Sequence, residues 1–348
     1  MKCILHDTKS HENFYPFSLN HAMFEVRSGA FTCIERIILE NNLLASDMIL
    51  MVREDIQSVV AERFPEATVN PIEIPETNLE IFFDELNESS YIWDLLNMQS
   101  SFLINDFKHF QESVDGNSHE SSILVNSRHI HISKSAIIAA GTVLDASNGP
   151  IIIDSNAFID IGALVKGPVY IGKNSIINPG AKICGNVTVG PFCKIGGEIE
   201  DSIFHGFSNK QHDGYLGHSY IGEWVNLGAN TNNSDLKNNY SNVRIKIGEK
   251  SIDTKQMFVG CMVGDYSKTG ISTMINTGTY IGMGANVFGG GFQNKYIPSF
   301  SWGATDKTDI NKFIDTLKIV KNRRKKSVSN NELELIQRLY SSEKFEGL

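Results

Sequence analysis

The chain has 348 residues, 41% of them hydrophobic, with a net charge of −9 and an isoelectric point near 5.6. That length supports two or three units with a sizeable core, and the acidic balance argues against nucleic acid or an anionic membrane as partner, because those surfaces reward a net basic face. Five cysteines without a CxxC pair argue against a disulfide framework or a zinc ribbon, and neither a signal core nor a run of roughly 18 apolar residues is present, so a cytoplasmic protein is expected.

Residues 1–125 read as a small α/β unit. A short apolar start at 1–6, a helical stretch at 29–42, a strand at 48–52 and a helix at 55–64 favour a parallel or mixed sheet. An aromatic-rich helix is predicted over 87–110, and the polar stretch 112–122 is the expected linker. From 126 to 303 the pattern changes. Aliphatic residues recur every sixth position as Ile132, Ile138 and Leu144, and after a nine-residue step as Ile153, Ile159, Val165, Ile171, Ile177, Ile183, Val189 and Ile195. The pattern returns as Tyr215, Ile221 and Leu227, and again as Val263, Thr269, Ile275, Ile281 and Val287. A period of six suits a solenoid with short flat sides, inward aliphatics, and Gly, Asn, Asp or Pro at the corners. The irregular stretches 198–214 and 230–257 read as loops ejected from the coil, where function is expected. Residues 304–348 form a helical tail, with helices near 307–321 and 330–342, the second capped by Ser329 or Asn330.

The solenoid resembles the left-handed parallel β-helix acyltransferases with hexapeptide repeats. The segment 211–240 is similar to the acetyltransferase half of the GlmU-type bifunctional enzymes, through His212, Tyr215-Leu216-Gly217, Val225-Asn226-Leu227-Gly228-Ala229-Asn230-Thr231 and Asn239-Tyr240. The first unit resembles a reduced sugar nucleotidyltransferase domain, through FYPFSLNHAMFEVRSG at 14–29 and the words YIWDLL and NDF. The resemblance implies a homotrimer, an acyl-CoA co-substrate such as acetyl-CoA, and transfer of the acyl group to an amino sugar phosphate or a nucleotide-linked amino sugar.

Acyl transfer to an amine needs a base, and imidazole is the natural choice near neutral pH. By the resemblance His212 is that base. Tyr215 and Asn226 match sugar-contacting positions, although Tyr215 is equally compatible with packing between coils; Asn239 and Tyr240 match a pair contacting sugar or acetyl donor, and His218 is expected beside the base or across the interface from it. Cys261 and the Thr277-Gly278-Thr279 coil match the channel of the coenzyme arm; Cys261 is equally readable as a small buried residue. The family's phosphate-binding Arg and Lys are replaced by Asn178 and Glu200, so Lys210, Lys194 or Lys182 would have to substitute, or the acceptor differs. His205, His212 and His218 also raise a zinc site, although their spacing differs from that of γ-class carbonic anhydrases.

The first unit lacks the glycine-rich phosphate loop of a nucleotidyltransferase. Arg27 is its one candidate phosphate contact, although a lone Arg at the start of a helix is more often structural, and Mg²⁺ would be needed only if that unit were active. The basic run from Lys318 to Lys326 suits either coenzyme phosphates or a solvated helix end. Two alternatives to acyl transfer remain at this stage. One is sugar-1-phosphate nucleotidyl transfer, alone or in a bifunctional enzyme, and the other is a non-catalytic sugar-nucleotide binding module.

Overall fold

The structure, a computed structural model, describes residues 2–74, 79–86, 90–110 and 117–343. Parts of the expected 87–110 helix, the 112–122 linker and the 304–348 tail lie outside the described residues. The chain divides into two compact units. One takes the described residues of 2–26, 31–92 and 309–343, and the other takes 27–30 and 93–308.

The first unit is built on four parallel strands in the order Thr68–Val69, Met48–Met51, Cys3–His6, Leu79–Phe82. Cys3, Ile4, Leu5, Met48, Ile49 and Leu50 are all buried, the near-continuous apolar run of a strand covered on both faces. The helix predicted from residue 29 begins instead at Cys33. Thr32 caps it, accepting from the Glu35 N–H at 3.3 Å while the Glu35 carboxylate accepts from the Thr32 N–H at 2.7 Å. The last two helices, Ile310–Asn322 and Asn330–Ser342, group with this unit rather than forming a separate tail. The second is capped by Ser329, whose hydroxyl accepts from the Glu332 N–H at 3.0 Å and donates to Glu62 at 2.5 Å.

The second unit is a left-handed parallel β-helix with three faces. Face 1 stacks strands from Asn117–Ser118 to Asn209–Lys210, face 2 from Ile123–Val125 to Tyr215–Gly217, and face 3 from Ile130–Ile132 to Tyr296–Ile297. The coil therefore starts inside the stretch expected to be linker. Ile153 pairs with Ile171 and Ile171 with Val189, one turn per 18 residues, which is three sides of six. Ile132, Ile138, Leu144, Ile153, Ile159, Val165, Ile171, Ile177, Ile183, Val189 and Ile195 all belong to one buried interior cluster, as the period requires. The helix Asp94–Asp106 belongs to this unit. Its Gln99 and Asp106 side chains accept from the Gly29 and Ala30 N–H groups, and a Cβ on Gly29 would lie 2.3 Å from Asp106.

The two irregular stretches behave differently. Residues 234–260 are an insertion between Asn233 and Cys261, carrying a hairpin of Arg244–Ile247 with Lys250–Asp253. Residues 198–214 are not ejected. They stay in the coil, but the turn is shorter: Val189 pairs with Phe204 and Ile195 with Lys210, 15 residues on. Most of the loss is at one corner. Between faces 1 and 2 the chain takes six steps from Ile177 to Ile183 and from Lys210 to Leu216, yet only four from Ile195 to Ile199. Gly196 and Gly197 turn that corner alone, and the lost register made this stretch look like a loop.

A side chain in this interior is close-packed, so Ile171→Ala should cost about 2–5 kcal/mol. Ile271→Ala, at a corner where the side chain is 80% exposed, should stay within about 0.5 kcal/mol. Urea midpoints of the two variants check this contrast; equal costs would contradict the assigned inward register.

Candidate active site at the shortened corner

Gly196 and Gly197 have no side chains, and the full corners before and after them project beyond them. The recess holds two adjoining clefts of about 350 Å³ each. One is lined by Pro179, Gln211, His212, Ala229 and Asn230, the other by Lys182, Glu198, Tyr215 and Asn232, with Gly197, Asp213 and Asn230 shared. His212 is exposed at the corner between faces 1 and 2, at the rim of this recess.

The loop that carries it is held through its carbonyls. The Asn178 amide, at the position where the resemblance places a phosphate-binding Arg, donates to the Gln211 carbonyl at 2.8 Å. The Lys210 ammonium donates to the carbonyls of His212 at 3.0 Å and Gly214 at 2.7 Å. The backbone continues the support from the next coil, where the Asn230 N–H donates to the Asp213 carbonyl at 3.0 Å. Lys210 was expected to meet substrate phosphate. Its side chain instead turns into the solenoid and is 1% exposed. Burial lowers its pKa to about 8 against the opposing charge of Asp213.

Tyr215 does not continue the inward register. Leu216 does, paired with Ile199, and the Tyr215 hydroxyl donates to Asp235 at 2.8 Å and to Glu200 at 3.3 Å. Asp235 also bonds His218 Nδ1 at 2.8 Å, and Phe258 stacks on the His218 ring at 5.2 Å. Asp235 and Phe258 stand at the two ends of the insertion, so His218 sits at its root, at the corner between faces 2 and 3. Asn226 is exposed on face 1, bridged by its backbone to Asn209 and Lys268, and lines neither cleft. Asn239 and Tyr240 lie exposed in the insertion, Tyr240 at 65%. Lys182 is beside the recess in an exposed ion pair with Glu198 at 3.4 Å, and Lys194 lies on face 1.

Several other expectations are corrected. Cys261 points into the interior, its N–H already donates to Ser219 Oγ at 2.9 Å, and burial pushes its thiol up to about 12, so neither group is free for a thioester. The N–H groups of Gly278 and Thr279 are used by the carbonyls of Val259 and Gly260, and Thr277 is buried at 3% exposure. These three residues seat the insertion. Arg27 is buried, and its guanidinium donates to the carbonyls of His205 at 3.2 Å and Ala30 at 2.6 Å. His205 is buried on face 3 against Tyr220, so the three histidines stand at different places around the coil and do not converge. In the basic run, Lys321 pairs with Glu332 at 2.6 Å.

At the carboxyl end of the first unit's sheet, Asp7 stands where a phosphate loop would begin. Its carboxylate accepts from the N–H groups of Met23 at 2.7 Å and Thr8 at 2.9 Å, and burial raises its pKa to about 6 against those bonds and Arg53. These N–H groups serve an internal carboxylate rather than a nucleotide. Among the described residues this edge therefore does not fit a triphosphate with Mg²⁺, and no step below uses a metal.

Burial pushes the His218 pKa down, but the Asp235 hydrogen bond and the charges of Asp201, Asp235 and Glu200 outweigh it and hold the value above the ordinary one. Burial pushes Asp235 up, and the bonds from His218 and Tyr215 bring it below its ordinary value. The stabilisation is therefore complete between the unfolded values of about 3.9 and 6.5. It is lost as pH rises through the folded His218 value, and also as pH falls through the folded Asp235 value. His218→Gln should cost about 1–3 kcal/mol near pH 6 and less at pH 9, measured as urea midpoints across that range. A cost that grows with pH would contradict the assignment.

No family model matches the chain. It is 33% identical over 104 residues to a bifunctional sugar-1-phosphate nucleotidylyltransferase/acetyltransferase of Sulfurisphaera tokodaii, covering 29% of this chain and 26% of that protein. It is 36% identical over 93 residues to a bifunctional GlmU protein of Methanococcus aeolicus, covering 26% and 22%. The chain thus spans about a quarter of the length of the curated relatives it matches. A Francisella novicida UDP-N-acetylglucosamine acyltransferase structure aligns at 14% identity and a TM-score of 0.28, over 67% of this chain and 91% of that one. Over at most 29% of its own length, then, the chain is similar in sequence to GlmU-type bifunctional nucleotidyltransferase/acetyltransferases.

Proposed function

We propose that the protein is an acyl-CoA-dependent N-acyltransferase acting on an amino sugar, with acetyl-CoA as the expected donor and His212 as general base. The observation that carries this reading is the braced 211–214 corner, which presents an imidazole at the rim of a solvent-open recess made by the missing residues at Gly196 and Gly197. The sequence relatives support it, because both carry acetyltransferase or GlmU in their names.

In the reaction, the acceptor ammonium first loses a proton to solvent. The amine then attacks the thioester carbonyl while His212 takes its second proton. The C–N bond forms, the C–S bond breaks, and the coenzyme leaves as a thiol carrying the proton that His212 returns. Asp213 and Asn230, which line both clefts, are placed to contact the acceptor. We also propose a homotrimer. Ile123, Ile137, Ile161 and Leu164 are exposed on faces 1 and 2 and the corner between them, an apolar surface suited to a second copy. The reading gives the α/β unit no nucleotidyl transfer, in keeping with the internal use of Asp7. It places the protein in the cytoplasm, where acyl-CoA is supplied; no helix among the described residues is long and apolar enough to cross a membrane.

His212→Ala should lower turnover by about 10²–10⁴-fold and leave acetyl-CoA affinity within about twofold. Thiol release with a panel of amino sugars, free, phosphorylated and nucleotide-linked, and calorimetric titration with acetyl-CoA measure the two quantities. Native turnover by the variant would remove His212 from the chemistry, and absence of coenzyme binding by the native protein would remove the acyl-transfer reading.

A further inference from the structure

The inward positions of face 1 read Ile159, Ile177, Ile195, Lys210 and Leu227 in successive coils. A lysine in that column is a physical anomaly. Moving an ammonium out of water costs several kcal/mol even after relaxation, and methionine or leucine would fill the same space without that cost. Lys210 is nevertheless buried, and its ammonium reaches three carbonyls: Gly214 at 2.7 Å, His212 at 3.0 Å and Gly196 at 3.4 Å. Three donors meet three acceptors. Two of those acceptors belong to the loop that presents His212, and the third belongs to the shortened corner beneath it.

The reason for this arrangement lies in the coil below. A full corner is normally supported from the adjacent coil by backbone N–H groups. The corner at Gly196 and Gly197 is two residues short, so the 211–214 loop overhangs it. The Gly214 carbonyl still accepts from the Glu198 N–H at 3.1 Å, and side chains supply donors to the carbonyls of His212 and Gln211, Lys210 from inside the solenoid and Asn178 from outside, where it bonds the Gln211 carbonyl at 2.8 Å. The glycine at 197 makes room for the inner support. A Cβ there would lie 2.7 Å from the Lys210 ammonium, 2.6 Å from the Gly214 carbonyl and 2.9 Å from the His212 carbonyl.

We propose that Lys210 is a positioning residue for acyl transfer: its ammonium holds the His212 loop by the carbonyls of His212 and Gly214, and so fixes where the base stands over the recess. This rests on the reading of His212 as general base. Lys210 itself touches no reacting atom. Its role is to keep the loop from relaxing into the space left by the missing residues, and a displacement of about 1 Å at a base is enough to cost on the order of 10²-fold in rate.

The test uses Lys210→Met, which keeps the length of the side chain and removes the donors, together with Asn178→Ala, which removes only the outer support and leaves the interior intact. Hydrogen exchange of peptides spanning 208–217 reads the loop directly, and kcat, KM for the acceptor and affinity for acetyl-CoA read the consequence. In Lys210→Met, exchange in 211–215 should rise at least about tenfold over the native protein, with peptides from 165–190 unchanged. Its kcat should fall about 10- to 100-fold while acetyl-CoA affinity moves less than about threefold. Asn178→Ala should shift both readouts in the same direction by a smaller factor, and it decides the matter if Lys210→Met does not fold. Native exchange and native kcat in the folded variants would overturn the proposal. If the native protein transfers no acyl group to any acceptor, the base reading fails separately, and the exchange measurement alone decides whether Lys210 holds the loop.

Discussion

In a parallel β-helix every coil rests on the one beneath it, through a ladder of backbone hydrogen bonds and a column of inward side chains. A coil that loses residues therefore leaves its neighbour without support at that corner. The rest of this site follows from one such loss. The chain omits two residues at Gly196 and Gly197, and the 211–214 corner hangs over the gap. The gap is the recess. The overhang is the loop that carries His212: backbone bonds from Asn230 and Glu198 hold its Asp213 and Gly214 carbonyls, and side chains hold the Gln211 and His212 carbonyls, which is where Asn178 and a buried Lys210 are found.

The second irregularity is an addition rather than a loss. Residues 234–260 leave the coil after face 2 and return at face 3, and both ends are fixed on His218, by the Asp235 hydrogen bond and the Phe258 stack. His218 therefore anchors an insertion, whereas His212 stands free at a cleft. The two histidines are six residues apart in sequence and occupy opposite edges of face 2, so one motif serves two physical roles. Across the α/β unit, by contrast, the groups that a nucleotide would need are turned inward: the N–H groups after the first strand bond Asp7, and the Arg53 guanidinium donates to the Ser18 carbonyl at 2.6 Å.

The regular part of the solenoid was legible because a branched aliphatic at every sixth position has one physical solution. The positions from Ile132 to Ile195 all face inward. Legibility ended where the register slipped. Residues 198–214 looked like a loop because Phe204 and Lys210 are not branched aliphatics and because the spacing shrank, yet both are interior residues. Tyr215 was placed one position out of phase for the same reason; the true inward residue, Leu216, follows it. Gly196-Gly197 was the available signal, since two adjacent glycines at a corner mark a place where no side chain fits. The buried reading of Cys261 was open from sequence, but its bond to Ser219 and the partners of Arg27 and of Thr277 to Thr279 were not readable, because each depends on residues far away in the chain. The helix cap depends only on its neighbours, so the sequence narrowed it to Ser329 or Asn330, and Ser329 is the cap.

The most direct test of the central claim is a crystal structure with acyl-CoA and a non-reacting amino sugar analogue bound. The account predicts the thioester carbonyl in the recess above Gly197, with the acceptor nitrogen within hydrogen-bond reach of the His212 ring, about 3 Å. A coenzyme seated elsewhere on the coil, with the recess left to solvent, would contradict it.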